Sequence, residues 1–150
     1  AQEQAQGMGY VDARRLIEQA PQGQQMEREL EAEFAERSRE LRGRAELLQA
    51  KEADLEKNRL ELTEDDIAAR VEELRELQRK LQRAQREFNE DISRRRNQNL
   101  SKLEKLITEV IQEVAKRKSL AVVFQQVVYA SEDIDLTDEV LDELKLRHAP

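Results

Sequence analysis

The sequence predicts a mostly α-helical protein: a long helical hairpin, or coiled-coil arm, on a small β body built from the N- and C-terminal segments. Three observations predict it. Charged residues make up 39% of the 150 and aromatic residues only 3%, a composition that suits long helices better than a spherical core. Between residues 22 and 118 there is no Pro, and Gly occurs only at 23 and 43. Phe34, Leu41, Leu48, Leu55 and Leu62 recur seven residues apart without a miss, which is the spacing of a coiled-coil seam.

Residues 1–7 are small and polar and read as a frayed end. Met8-Gly9-Tyr10-Val11 reads as a short strand. Asp12 is placed to cap a brief helix through Ile17, and Pro21 ends that helix or starts the next. The first long helix follows. Its seam is thin, because the positions four after each apolar residue are Ser38, Ala45, Glu52 and Arg59. Thr63-Glu64-Asp65-Asp66 interrupts the pattern: Thr63 suits an N-cap, and three carboxylates suit the positive end of a helix. A second seam then runs through Ile67, Val71, Leu74, Leu81, Phe88 and Ile92, with Gln78 and Gln85 where apolar residues are expected. After polar residues 93–99 the apolar spacing resumes in a shifted register at Leu100, Leu103, Ile107, Val110 and Val114. The expected architecture is a hairpin of residues 22–117 with its tip near 59–66; one unbroken helix is the alternative, since Thr63 is a weak breaker.

Beyond Lys118 the texture becomes β-rich. Leu120 to Phe124 reads as one strand, Gln125-Gln126 as a turn, and Val127 to Ala130 as a second strand. Thr137 is expected to cap a last helix through Leu146, with Val140, Leu141 and Leu144 inward. Residues 1–21 and 118–150 would therefore fold together as the body. So small a core with open strand edges gains most by associating with copies of itself. Tyr10, Val11, Val122, Val123, Phe124, Val127, Val128 and Tyr129 are the expected oligomerisation residues.

Charge is unevenly placed. Residues 1–78 hold 12 basic and 20 acidic side chains, residues 79–118 hold 12 and 6, and residues 119–150 hold 2 and 7. Arg94-Arg95-Arg96 could meet acidic partners, lipid headgroups or nucleic acid, but no aromatic residue interleaves with them for base stacking. Their plainer reading is a solvated helix face, and no nucleic acid is expected as a partner. The absence of cysteine removes disulfides and thiolate chemistry. Asp133, Asp135 and Asp138 resemble a calcium loop only loosely, since the loop glycine is missing and Leu144 stands at the twelfth position. The glycines at 7, 9, 23 and 43 form no phosphate-binding motif, and His148 is the third residue from the end. The sequence therefore points to no enzyme, cofactor or metal. No apolar run is long enough to span a bilayer.

Taken in order, Gly9-Tyr10-Val11-Asp12, the charged helix pair, Leu120-Ala121-Val122-Val123, Val128-Tyr129-Ala130-Ser131 and the closing Asp135-Leu136-Thr137-Asp138-Glu139-Val140-Leu141 resemble the Skp/OmpH family of periplasmic chaperones over nearly the whole chain. The closing run is the most specific part. The resemblance implies a homotrimer whose bodies form a barrel-like core and whose arms enclose a cavity. It implies a periplasmic, ATP-independent holdase for unfolded outer-membrane β-barrel proteins. In that reading the start at Ala1-Gln2 is a mature end left by signal-peptide removal. Client contacts on the arm surface would involve Phe34, Leu41, Leu74, Phe88 and Arg94 to Arg96, with weak contact to lipid headgroups besides. One departure is charge: some members are strongly basic, and this chain has a pI near 5.0. A structural coiled-coil adaptor that binds one folded partner is the alternative from a different class.

Overall fold

A computed structural model describes residues 4–149. The chain runs β1 (Met8–Tyr10), α1 (Ala13–Gln19), α2 (Pro21–Asn58), a 3-10 turn (Arg59–Glu61), α3 (Glu64–Arg117), β2 (Val122–Phe124), a second 3-10 turn (Glu132–Ile134) and α4 (Thr137–His148). The unbroken-helix alternative is thus excluded: α2 and α3 form a long hairpin.

The local chemistry explains each break. The Asp12 carboxylate accepts the N–H of Arg15 and caps α1. Pro21 opens α2, where its missing N–H costs nothing. The Thr63 hydroxyl accepts the N–H of Asp66 at 3.1 Å, and Glu64, Asp65 and Asp66 occupy the first turn of α3, where the helix dipole favours anions. At the other end, Ser119 takes a positive φ of 57°. The Leu120 N–H then reaches back to the Ala115 carbonyl at 2.9 Å and the Ser119 N–H to that of Lys116 at 3.1 Å. This is the paired-bond C-cap usually built on glycine.

Inter-residue contacts gather the chain into two compact units, one of residues up to 29 with those from 96 onward, the other Leu30–Arg95. The body unit therefore takes in the roots of both long helices, beyond the boundaries at 21 and 118 expected from the sequence. Its sheet has two parallel strands, in register Met8↔Val122, Gly9↔Val123 and Tyr10↔Phe124. Parallel neighbours need a crossover, and here everything between them in the chain supplies it. On its other side β1 bridges Asp135 through Tyr10, with the Leu136 N–H bonded to the Tyr10 carbonyl at 2.7 Å. β1 is thus the middle element and β2 carries a free edge among the described residues.

The body core joins Val11, Leu16 and Ala20 to Leu103, Ile107, Val110, Ile111 and Val114 of α3 and to Leu136, Val140, Leu141 and Leu144. The α3 members recur at three- and four-residue steps, one face of a helix. Gly9 lets Leu136 approach: a Cβ there would lie 2.6 Å from the Leu136 Cδ1.

In the arm unit Leu30, Phe34, Leu41 and Leu55 are buried and Leu48 half-buried, so the seven-residue seam faces α3 as its spacing implied. On α3 the half-buried positions of this unit are Ile67, Val71, Leu74, Leu77, Leu81, Ala84, Phe88, Asp91 and Ile92. Gln78 and Gln85 stay exposed; the seam steps by three instead of four and uses the apolar residue just before each glutamine.

Two local expectations are corrected. Residues 127–130 form no strand: Val128 is 108% and Tyr129 83% exposed, because no neighbouring strand in the chain lies there to pair them. Thr137 does not cap α4, since Leu136 holds the N-cap position. The buried Thr137 hydroxyl instead accepts the Asp12 N–H at 2.9 Å and donates to the Asp135 carboxylate at 2.6 Å.

Candidate functional surfaces

Two surfaces stand out, one on each unit. On the body, Met8, Val122, Phe124, Val127, Val128 and Tyr129 are all exposed. They sit on or next to the sheet, and β2 adds unpaired backbone groups along its outer edge. Of the residues expected to oligomerise, Tyr10 is half-buried, Val123 packs against the core and Val11 is wholly buried within it. Val11 therefore serves the single chain, and the outward set is carried by β2 and residues 127–129. A shallow recess beside β2, floored by Ile111, Ala115 and Val123 with Thr108, Gln112 and Lys116 at its rim, extends this face.

On the arm unit, Phe34 and Phe88 meet edge to face with centroids 5.8 Å apart. The Arg37 guanidinium lies 5.5 Å from each ring centroid and 2.9 Å from Asp91. The arrangement binds α2 to α3 through aromatic, cation–π and ionic contacts at once. Of the expected client-contact residues, Phe34 and Leu41 thus face into the hairpin, while Leu74 and Phe88 are half-buried. Arg95 pairs with Glu33 at 3.0 Å, Arg96 with Glu27 at 2.8 Å and Arg94 with Asp91 at 3.3 Å, so the arginine run is charge-paired within the chain.

Nearer the tip, Lys51 bonds Glu73 at 2.8 Å. That hydrogen bond, reinforced by the Lys51 charge, holds the Glu73 carboxyl below its ordinary value. Between this pair and the aromatic contact the seam is thinnest, and grooves open between the helices. One is lined by Leu41, Ala45, Leu81, Gln82, Gln85 and Arg86. Another is lined by Arg44, Leu47, Leu48, Leu77, Lys80 and Leu81; Leu47 is 55% exposed. Each pairs an apolar floor with a rim of long charged or amide side chains. Sequence reasoning missed Leu47 and Leu77 because they fall outside a strict heptad, and read Ala45 only as a weak seam position; for Leu77 the clue was the glutamine at 78, which moves the seam onto its neighbour.

Among the described residues no group of three or more acidic or histidine side chains is arranged to hold a metal, and no helix is long and apolar enough to cross a membrane.

A family model described as outer membrane protein (OmpH-like) matches residues 7–144. The chain belongs to the OmpH-like family. Within that family it is 26% identical over 144 residues to the chaperone protein Skp of Yersinia enterocolitica, an alignment covering 95% of this chain and 88% of that one. The crystal structure of an OmpH-like protein from Caulobacter crescentus CB15 superimposes with a TM-score of 0.83 at 18% identity, covering 97% of this chain and 88% of that one. The Skp/OmpH membership expected from the terminal motifs is therefore established, and the chain shares its fold with that OmpH-like structure.

Proposed function

We propose that this OmpH-like chain is an ATP-independent holdase that takes up unfolded outer-membrane β-barrel proteins in the periplasm and acts as a homotrimer. The observation that carries the reading is the pair of open grooves on the arm unit. Unfolded barrel strands alternate apolar and polar residues and aggregate through them. A carrier for many such chains needs numerous weak apolar contacts and no deep pocket, so that clients are held and later released. Shallow leucine floors between charged rims meet that need. The chaperone name of the Yersinia relative supports the same reading.

The test is light scattering of a urea-unfolded outer-membrane barrel protein diluted into buffer with this protein and no nucleotide. Suppressed aggregation, saturating near three chains per client, is the expected result, and Leu47→Glu is expected to weaken it. Unchanged aggregation with the chain folded would sink the holdase reading and favour an adaptor for a folded partner.

A further inference from the structure

The arm unit carries two surfaces of opposite charge, and on each several charges are in no ion pair among the described residues, although Arg79 and Lys80 of the basic one are paired with Glu72 and Glu76. At the tip, Leu60 is 101% exposed, and around it Glu61, Glu64, Asp65 and Asp66 are exposed. None of those four carboxylates takes part in an ion pair among the described residues. The acidic surplus is local: Lys57, Arg59 and, one turn along α3, Arg70 are the nearby cations in sequence, and Arg59 is already bound to Glu56. Further back, residues 77–86 include Arg79, Lys80, Arg83 and Arg86 and no acidic residue.

The two grooves there differ in one respect. Arg44 and Lys80 on the Leu47 groove are paired with Glu40 and Glu76. Arg86 on the Leu41–Ala45 groove, and the adjoining Arg42 and Arg83, are exposed and in no ion pair among the described residues. Arg86 itself lines the groove, Arg42 lies one helical turn from Ala45, and Arg83 lies one turn from Arg86, so the three cations gather near it.

We propose that the tip of one copy docks into the Leu41–Ala45–Leu81 groove of a second copy, Leu60 entering the apolar floor and the tip carboxylates meeting Arg42, Arg83 and Arg86. A chain cannot satisfy its own groove, because about 17 residues of helix, roughly 25 Å, separate tip from groove. Two arms laid antiparallel with an overlap of that length satisfy both grooves at once. The contact is then reciprocal, as a two-fold interface requires. Leu60 has no other apolar neighbour to explain its position, and the groove beside unpaired arginines would repel a basic segment. The inference does not depend on the holdase reading and is tested without any client.

The natural chain has no cysteine, so a single Leu60→Cys copy and a single Gln82→Cys copy can be mixed under mild oxidation. The expected product in about 20 mM salt is the mixed disulfide, in clear excess over the Leu60→Cys pair. At about 500 mM salt it should fall several-fold, since exposed charges are then screened over a few ångströms. Adding Arg83→Glu and Arg86→Glu to the Gln82→Cys copy should reduce it roughly tenfold, and adding Asp65→Lys and Asp66→Lys to the Leu60→Cys copy should restore it. Circular dichroism confirms that each variant keeps its helix content. Sedimentation of the unmodified protein at low salt should show pairs of the species that persists at high salt. A mixed disulfide at its statistical share, insensitivity to salt, or failure of the charge swap to restore the product would each overturn the proposal.

Discussion

Thr137 shows how much one hydroxyl can organise. It takes the Asp12 N–H at 2.9 Å and gives its own hydrogen to Asp135 at 2.6 Å, joining the start of α1 to the start of α4 across most of the chain. Asp12 meanwhile caps α1, so one buried network sets the entry of two helices. Thr137→Val keeps the shape but leaves the Asp12 N–H without an acceptor. The expected loss is roughly 1–3 kcal/mol in urea unfolding, with Thr137→Ser recovering most of it. A helix cap was the natural reading of Thr137 from sequence, since Thr before an acidic turn usually serves that role. The true partner lies 125 positions away, and nothing local could name it. Gly9 is a similar case: its need for space comes from Leu136, which sequence places far off.

For the elements, the hairpin was legible because its signals are local. The seven-residue spacing of Phe34 to Leu62 and the Thr63 cap with its three acids point to two helices and a turn near 59–66, although Thr63 alone leaves one unbroken helix open until the fold is seen. What local pattern missed were the steps at Leu77 and Ala84, where the α3 seam departs from a strict heptad, and the unpaired state of residues 127–130. β propensity describes a surface fit for pairing, and pairing needs a neighbour. Two clasps join the helices of the hairpin besides its apolar seam. Phe88→Ala removes the edge-to-face contact with Phe34 and one face of the Arg37 site. It should cost about 2–4 kcal/mol, somewhat below a fully buried Phe because Phe88 is only half-buried. Guanidinium unfolding followed by helical signal checks it. The second clasp, Lys51–Glu73, is exposed and adds little, but its sign is definite. The Glu73 carboxyl is held below its ordinary 4.5, so its contribution is present above that value and disappears as pH falls through the lowered one. Thermal midpoints of the wild type and Glu73→Gln should therefore differ slightly near pH 7 and converge once the pH has fallen below the lowered value.

For the whole molecule, the question is whether one copy suffices. The body core is small, its sheet has two strands, and two-stranded sheets are marginal in water. The same unit exposes Phe124, Val127, Val128 and Tyr129 beside the free edge of β2. An exposed apolar run of this kind marks an interaction surface, and the trimer proposed above would cover it with copies of the chain. The expected native mass is therefore a multiple of the 17.6 kDa chain, with a thermal midpoint that rises with protein concentration. Val128→Asp with Tyr129→Asp touches no core residue and should lower the mass toward one chain. It should also remove the concentration dependence while leaving the helix content near that of the wild type. If the wild-type mass were that of one chain at micromolar concentration, the body would fold alone, and its apolar face would have to be assigned to a different partner.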